Sequence, residues 1–167
     1  TSLYIYNAGM SADEKIMVSV VVPVYNASRH LAGCIGTIRG QTWTNWEAVC
    51  VDDGSTDNSL ELLRGYSAKD PRIRVIHQEN QGLSGARNTG FADCHGKYVS
   101  FYDAADMIEP DMLETMVGVL EESQAPFAIS AYTTYPAGSP ERRSYCPQFF
   151  YGIKPKARME MTPWTMV

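Results

Sequence analysis

The stretch that decides the fold class of this chain is Val18-Ser-Val-Val-Val-Pro-Val24. It is a nearly continuous apolar run of strand length, and it is rich in β-branched side chains. Such a run is typical of a strand that is buried on both faces, as in a parallel sheet. Pro23 lies near the end of the run, where a missing backbone N–H is tolerated. We therefore predict the first strand of a parallel sheet at residues 18–24.

Strands and helices alternate from this stretch to Tyr132. Further short strands are predicted at 47–51, 74–77, 97–102 and 127–132, and segments of helical periodicity lie between them. This alternation predicts a three-layer α/β/α fold with a mostly parallel, Rossmann-like sheet and right-handed crossovers. Because ligands of such sheets bind beyond the carboxyl ends of the strands, functional residues are expected directly after the strands.

Composition excludes several classes of function. The chain has 167 residues, with 14 Lys plus Arg, 19 Asp plus Glu and a net charge of −5. The acidic balance argues against nonspecific nucleic-acid binding, which depends on clustered basic residues. No apolar run approaches the roughly 18 residues needed to span a bilayer. From Glu141 onward the chain carries +3, which fits either a peripheral contact with a membrane surface or phosphate, or an ordinary solvated segment.

The cysteines indicate a reducing compartment. No two of the four have the CxxC spacing of a zinc or redox site, and no secretory signal is visible. We therefore expect free thiols in a cytoplasmic protein. The four residues are Cys34, Cys50, Cys94 and Cys146.

The motifs of several common nucleotide and hydrolase sites are absent. No GxGxxG follows the first strand, and the chain has no GxSxG elbow. Gly85 and Gly90 have the glycine spacing of a phosphate loop, but Phe91-Ala92 stands where that loop needs Lys and a hydroxyl residue. The three histidines are scattered and indicate no metal site. A dinucleotide, phosphate-loop or hydrolase site is therefore not predicted.

Carboxylates directly follow two of the predicted strands, as Asp52-Asp53 and as Asp103 with Asp106. Carboxylates hold phosphate through Mg²⁺ or Mn²⁺, which prefer oxygen ligands. Asp53 can also accept a hydrogen bond from a nucleobase N–H, and Tyr25 either stacks on that base or is simply packed. On this chemistry a metal–nucleotide site and ordinary turn chemistry are both open.

A series of ordered motifs carries a family resemblance. Val18-Ser-Val-Val-Val-Pro-Val-Tyr-Asn26 precedes Trp46-Glu-Ala-Val-Cys-Val-Asp-Asp-Gly-Ser-Thr-Asp57. Asn80-Gln-Gly-Leu-Ser-Gly-Ala-Arg-Asn-Thr-Gly90, Gly96-Lys-Tyr-Val-Ser-Phe-Tyr-Asp103 and Pro110-Asp-Met-Leu113 complete the series. Together they resemble the nucleotide-sugar-binding part of a family 2 glycosyltransferase, which has the GT-A fold. The resemblance covers about residues 17–132.

The resemblance implies an inverting enzyme that transfers sugar from a UDP-sugar to a hydroxyl of a saccharide or lipid-linked acceptor. Many relatives build surface polysaccharide at the cytoplasmic face of a membrane. Asp53 is expected to read the imide N–H of the base, which favours uracil over cytosine. Asp57 is assigned to helix capping, and Asp52 to support of the site. The remaining implied donor-binding residues are Pro23, Tyr25, Asn26, Arg87 and Asp103.

One departure from the family pattern concerns the metal. The family has Asp-x-Asp-Asp after the fourth strand, whereas this chain has Asp103-Ala104-Ala105-Asp106. A methyl group cannot coordinate Mg²⁺ or Mn²⁺, so the implied ligands are Asp103 and Asp106, and metal affinity is expected to be weakened. Three explanations stay open: an engineered knockout, a naturally impaired homologue, and a site in which the two aspartates suffice.

The predicted organisation has three parts. Residues 1–9 resemble a vector-derived leader and are left out of the predicted fold. Residues 10–135 form the nucleotide-sugar-binding domain, and 136–167 begin a truncated acceptor half. The family's catalytic base, usually an Asp, lies in that half. Because Glu160 is the one carboxylate after Glu141, we expect the chain to stop before its base.

Three alternative functions remain beside the transferase. A catalytically inactive nucleotide-sugar-binding module would share every motif. A sugar-1-phosphate nucleotidyltransferase is disfavoured, because residues 25–29 are neither Gly-rich nor strongly basic. A flavodoxin-like binding domain would leave the aspartates at the strand ends unexplained.

Overall fold

The computed structural model describes residues 4–7, 17–130, 132–134 and 143–145. The elements follow one another in chain order as β1 (Tyr4–Asn7), β2 (Val18–Val24), α1 (Ser28–Arg39), β3 (Trp46–Asp53), α2 (Ser59–Ser67), β4 (Ile73–Gln78), α3 (Gly82–Ala92), β5 (Tyr98–Phe101), α4 (Met112–Ser123), β6 (Phe127–Ile129), β7 (Tyr132–Thr134) and β8 (Arg143–Tyr145). None of the helices in these ranges is long and apolar enough to cross a membrane.

Within the described ranges, six strands form one sheet in the order β4–β3–β2–β5–β1–β6. The first four of these strands are parallel, and β2 lies between β3 and β5. β1 runs antiparallel to both of its neighbours, while β7 and β8 form a separate antiparallel pair. The predicted α/β fold with a mostly parallel sheet is confirmed.

The central strands are buried because helices cover both faces of the sheet. Every residue of β2 and β3 is buried. The larger core packs α1, α2 and α4 against one face, where Val20 and Val22 point. On the other face Ala86 of α3 packs with Val49 and Val51 of β3. The continuous apolar run predicted as a doubly covered strand therefore has the environment that its composition requires.

The third helix, α3, begins at Gly82. Side chains that precede the helix accept hydrogen bonds from the backbone amides at the start of α3. Asp53 Oδ1 accepts from the Gln81 N–H at 2.9 Å, and Asn80 Oδ1 accepts from the Gly82 N–H at 3.2 Å. The strand predicted over 127–132 is shorter, because β6 ends at Ile129.

Four of the residues left out of the predicted fold form a strand of the main sheet. Tyr4–Asn7 pairs with β5 and β6, and the Ile5 side chain is fully buried. The physical reason is that β5 and β6 leave a strand position between them, which β1 fills. The vector origin of this segment stays a prediction.

Free thiols are confirmed for Cys34, Cys50 and Cys94, whereas Cys146 lies outside the described residues. Burial raises the pKa of Cys34 to about 12, and the carboxylates of Asp106 and Asp103 add to the increase. The Cys34 thiol is therefore protonated at neutral pH and is a poor nucleophile.

Close packing between α3 and the sheet generates a stability prediction. A methyl group on Gly90 would lie 2.5 Å from Val21 Cγ1 and 3.1 Å from Val51 Cγ2. Both partners are buried in the sheet, so Gly90→Ala should lower the free energy of unfolding by about 1–3 kcal/mol through overpacking. Urea denaturation followed by circular dichroism measures the change.

Gly118→Ala is the matched control, since nothing lies within 4 Å of a methyl group built there in α4. It should stabilise the chain by about 0.4–1 kcal/mol, because alanine restricts the unfolded chain more than glycine does. Equal effects of the two substitutions would contradict the close approach of α3 to the sheet.

Candidate functional site

The carboxyl ends of β2, β3 and β5 lie side by side at one edge of the sheet. Val24 is in register with Asp52, and Val21 is in register with Phe101. The loops that follow these strands begin with Tyr25, Gly54 and Tyr102. The structure therefore brings the predicted strand-end residues to one edge, as the parallel order requires.

Asp53, the last residue of β3, presents a half-occupied carboxylate. Its side chain is buried on the α3 side, and Oδ1 accepts from Gln78 Nε2 at 2.7 Å and from the Gln81 N–H at 2.9 Å. Oδ2 makes no hydrogen bond to any described residue. One oxygen is thus fixed by protein donors, and the other is available to a donor on a ligand.

Asp52 points to the opposite face of the sheet and is completely buried. Its Oδ2 lies 2.7 Å from His77 Nδ1 on the neighbouring strand β4. Its Oδ1 is buried without a hydrogen-bond partner among the described residues. Asp52 and Asp53 therefore point to opposite faces of the sheet, and the supporting role of Asp52 stays a prediction.

Asn26 joins the two loops that follow β2 and β3. Its Oδ1 accepts from the Thr56 N–H at 2.8 Å and from the Asp57 N–H at 3.3 Å, and its own N–H donates to Ser55 Oγ at 3.0 Å. Asn26 has a φ of 49°, a conformation that asparagine tolerates better than most residues. The predicted contact of Asn26 with the donor base stays a prediction, but its amide oxygen is already used within the loops.

Asp57 binds the first amides of two helices at once. Its Oδ1 accepts from the Ser59 N–H of α2 at 2.9 Å, and its Oδ2 accepts from the Ser28 N–H of α1 at 3.1 Å. The hydrogen bonds from Ser59 and Ser28 hold the pKa of Asp57 well below its usual range. The predicted capping role is confirmed, and it extends to a second helix that the sequence did not indicate.

Tyr25 and Pro23 differ sharply in exposure. The Tyr25 side chain is 54% exposed at the site edge, which leaves its ring accessible to a flat ligand. Pro23 is buried within β2, in register with Val51. Pro23 therefore presents no exposed ring surface to a ligand, and its predicted contact with the donor stays a prediction.

The segment after β5 forms a tight turn. The Asp106 N–H donates to the Asp103 carbonyl oxygen at 2.8 Å, with Ala104 buried and Ala105 exposed between them. The Asp103 N–H donates to Asp106 Oδ2 at 3.3 Å. Burial raises the pKa of Asp106, and the neighbouring Asp103 carboxylate adds to the increase.

Arg87 of α3 reaches this turn. Its Nη2 donates to Asp103 Oδ1 at 2.8 Å, and both side chains are about one-third exposed or less. α3 therefore spans the site: Gln81 at its start holds Asp53, and Arg87 holds Asp103. Arg87, Asp53 and Asp103 were expected at the site from the sequence, whereas Gln81 was not.

The described residues do not fit a divalent metal at this turn. Ala105 offers no ligand, the Asp103 carboxylate is paired with Arg87, and Asp106 accepts from backbone. No group of three or more His, Cys, Asp or Glu side chains within the described ranges is placed to hold an ion. The described side chains therefore do not support the Mg²⁺ or Mn²⁺ expected at Asp103 and Asp106.

Comparison with known sequences decides the family. The sequence model described as Glycosyl transferase family 2 matches residues 19–165, most of the chain. The chain belongs to this family. It is 46% identical over 126 residues to "Glycosyltransferase GlyA" of Streptococcus pneumoniae, a match that covers 75% of this chain and 18% of that relative. The chain thus spans a minor part of GlyA.

Solved structures of the same fold include nucleotide complexes. TarS 1-349 of S. aureus in complex with UDP superposes with a TM-score of 0.61 and 28% identity, over 65% of this chain and 33% of that one. The mannosyltransferase PcManGT from Pyrobaculum calidifontis, in complex with GDP-Man and Mn²⁺, gives a TM-score of 0.60 and 26% identity over 65% of this chain. These structural neighbours support the GT-A assignment of the fold.

Sequence reasoning missed three residues that shape this family 2 site. Gln78 and Gln81 fix one oxygen of Asp53, and His77 contacts Asp52, although the histidines were taken as unremarkable. A signal was present: β3 and β4 are parallel neighbours, so Asp52-Asp53 and His77-Gln78 occupy matching positions at their ends. Pairing the predicted strands residue by residue would have brought these side chains together.

The shared cap at Asp57 generates a stability prediction. Asp57→Ala should lower the free energy of unfolding by about 1–2 kcal/mol at neutral pH, because two helices lose an amide partner. The pKa of Asp57 is lower in the folded than in the unfolded chain, so its contribution is present above about pH 4 and is lost as the pH falls further. Urea denaturation of both proteins between pH 7 and pH 2 measures this.

The control is Asp111→Ala, which changes an exposed aspartate that precedes α4 and makes no side-chain capping bond. Its effect should stay within about 0.5 kcal/mol. A difference between wild type and Asp57→Ala that stays constant down to pH 2 would contradict the role of the ionised carboxylate.

Proposed function

We propose that this chain is the donor-binding part of an inverting glycosyltransferase that uses a UDP-linked sugar. The observation that carries the proposal is the half-occupied carboxylate of Asp53 at the carboxyl edge of the sheet. Tyr25 and Arg87 flank the same edge from β2 and α3. The site therefore offers an acceptor for a base N–H, an aromatic face and a cation.

The hydrogen-bonding pattern of Asp53 favours a base with an imide N–H. A carboxylate is an acceptor at both oxygens, and Oδ1 already accepts from Gln78 and Gln81. Uracil presents an N–H donor to Oδ2, whereas cytosine presents a ring nitrogen that is itself an acceptor. Two acceptors facing each other in a buried site are unfavourable, so uracil is preferred.

The solved relatives agree with a nucleotide-sugar donor. TarS 1-349 binds UDP, and PcManGT binds GDP-Man. Guanine also has a ring N–H, so Asp53 by itself separates uracil from cytosine and not from guanine. We choose UDP because the resemblance of the ordered motifs implies it, and the experiment below includes GDP.

In the proposed reaction, an acceptor hydroxyl attacks the anomeric carbon on the side opposite to UDP. The bond from that carbon to the β-phosphate oxygen breaks, the configuration inverts, and a general base takes the hydroxyl proton. Asp53 and Tyr25 would orient the nucleotide, and α3 would hold Arg87 beside the leaving diphosphate. Hydrogen-bond donors placed where negative charge develops in the transition state lower the activation barrier.

The proposed acceptor is a saccharide or a lipid-linked saccharide, and the proposed location is the cytoplasm at the inner face of a membrane. Both rest on the family resemblance. The basic tail from Glu141 onward, which would make a peripheral membrane contact, lies mostly outside the described residues. Co-sedimentation of the chain with anionic and with neutral vesicles would measure that contact.

Asp53→Asn tests the base preference. Because Gln78 and Gln81 both donate to Oδ1, the new amide should turn its oxygen toward them and its NH₂ toward the base. An NH₂ group opposes the uracil N–H and matches the cytosine ring nitrogen. UDP affinity should fall at least about tenfold, and CDP affinity should rise above that of wild type. Isothermal titration calorimetry with UDP, CDP and GDP measures both changes.

Asp111→Asn is the matched control, since it makes the same chemical change at an exposed site. That residue lies at the far side of the fold, where the Thr42 N–H after α1 donates to the Pro110 carbonyl oxygen. Its affinities should match those of wild type. Tighter binding of GDP or CDP than of UDP by the wild-type chain would contradict the uracil assignment.

A second candidate is an inactive nucleotide-sugar-binding module, which Ala105 favours because a methyl group stands at a family carboxylate position. The two candidates differ in turnover, not in binding. We expect the chain alone to bind UDP but to release no measurable UDP from UDP-glucose, UDP-galactose or UDP-GlcNAc with saccharide acceptors. Robust release in a UDP-detection assay would favour an intact transferase over the inactive module.

A further inference from the structure

We propose that this chain binds the diphosphate of its nucleotide without a divalent cation, with the Arg87 guanidinium as the positive group. The inference rests on the proposed function, because it assumes that the nucleotide occupies the edge formed by Tyr25, Asp53 and Asp103. It departs from the metal-dependent binding that the family resemblance implies. Three features of the described residues support it.

The first feature is the missing ligand. In the turn after β5, the position that would supply a metal carboxylate is Ala105, whose methyl group is exposed. Asp106 is half-buried, and its Oδ2 accepts from the Asp103 N–H. A cation at this turn would have to compete with that bond and with Arg87.

The second feature is a cation that is already in place. Arg87 Nη2 lies 2.8 Å from Asp103 Oδ1, and the Arg87 side chain is 27% exposed. The family resemblance places Asp103 beside the ribose. A guanidinium has five N–H donors, and within the described residues Arg87 uses one hydrogen bond to Asp103. Because the Arg87 side chain is partly exposed, its remaining Nη N–H groups can donate to phosphate oxygens.

The third feature is the charge at this corner of the site. Two carboxylates, Asp103 and Asp106, face one guanidinium, so the corner carries a net charge of −1 when both are ionised. A third carboxylate at position 105 would raise this to −2 and would repel a diphosphate that arrives without a metal. Ala105 therefore removes a metal ligand and at the same time reduces the repulsion that the metal would have offset.

Arginine suits this role because its planar guanidinium pairs with two phosphate oxygens and stays charged at any accessible pH. Arg87 is also held by α3, which packs tightly on the sheet through Gly90. A cationic side chain that is already ordered loses little conformational entropy when the ligand binds. The arrangement requires no ion to be recruited from solution.

Calorimetric titration with uridine and UDP tests the proposal, each measured in EDTA and in Mn²⁺. For the wild-type chain, UDP should bind more tightly than uridine in EDTA, and Mn²⁺ should change the UDP affinity by no more than about twofold. Arg87→Gln should weaken UDP binding in EDTA by at least about tenfold and leave uridine binding unchanged. Arg87→Lys keeps the charge but lacks the planar guanidinium. Its UDP affinity in EDTA should lie between those of wild type and Arg87→Gln.

Two further variants complete the experiment. Arg64→Gln changes an exposed arginine on α2 and should bind UDP like wild type. Ala105→Asp should bind UDP more weakly than wild type in EDTA and regain affinity in Mn²⁺. Circular dichroism before each titration confirms that each variant is folded.

The outcomes separate this inference from the proposed function. Binding of uridine together with binding of UDP only in Mn²⁺ would overturn the inference and leave the proposed function standing. Equal loss of uridine and UDP affinity in both Arg87 variants would also overturn it, because Arg87 would then support the fold rather than the diphosphate. Failure of both uridine and UDP to bind under either condition would overturn the proposed function and this inference with it.

Discussion

The carboxylate of Asp57 is the constraint on which the geometry of this edge depends. It accepts the first amide of α1 and the first amide of α2, so two helices that cover the same face begin at fixed positions relative to each other. Asn26 adds a second connection, because its amide oxygen binds the loop that carries Asp57. The loops after β2 and β3 are therefore one hydrogen-bonded unit, and Tyr25 and Asp53 are held at its two ends.

Asp53 gains its chemical character from strand pairing rather than from its local sequence. Parallel pairing of β3 with β4 places Gln78 opposite it, and the start of α3 supplies the Gln81 amide. These donors fix the orientation of the Asp53 carboxylate and leave Oδ2 for a donor on a ligand. In the proposed complex, this preorganisation would confer specificity, because Asp53 would not have to reorient when the base binds.

Much of the fold could be predicted because buried strands require apolar residues, and this pattern is visible in the sequence. The seven residues of β2 lie at the predicted positions, since a strand covered on both faces has to be apolar throughout. β1 was missed because residues 1–9 were set aside as a leader, and because Tyr4–Asn7 is short and pairs with strands distant in the chain. The double cap at Asp57 and the amide tether of Asn26 were missed for a related reason: the partners lie about 30 positions apart, and only the meeting of two loops reveals them.

The turn after β5 shows why loss of one carboxylate need not disorder the site. Its shape is set by two hydrogen bonds between Asp103 and Asp106, one backbone to backbone and one backbone to side chain. Neither bond involves position 105, and Arg87 neutralises the carboxylate nearest to the expected donor. Because an internal cation and the backbone already satisfy this corner, the methyl group of Ala105 changes the charge that a ligand meets without removing a contact that holds the turn. In the proposed complex, the same turn would present an ordered, less negative surface to the diphosphate, and position 105 would act on the electrostatics of binding rather than on the fold.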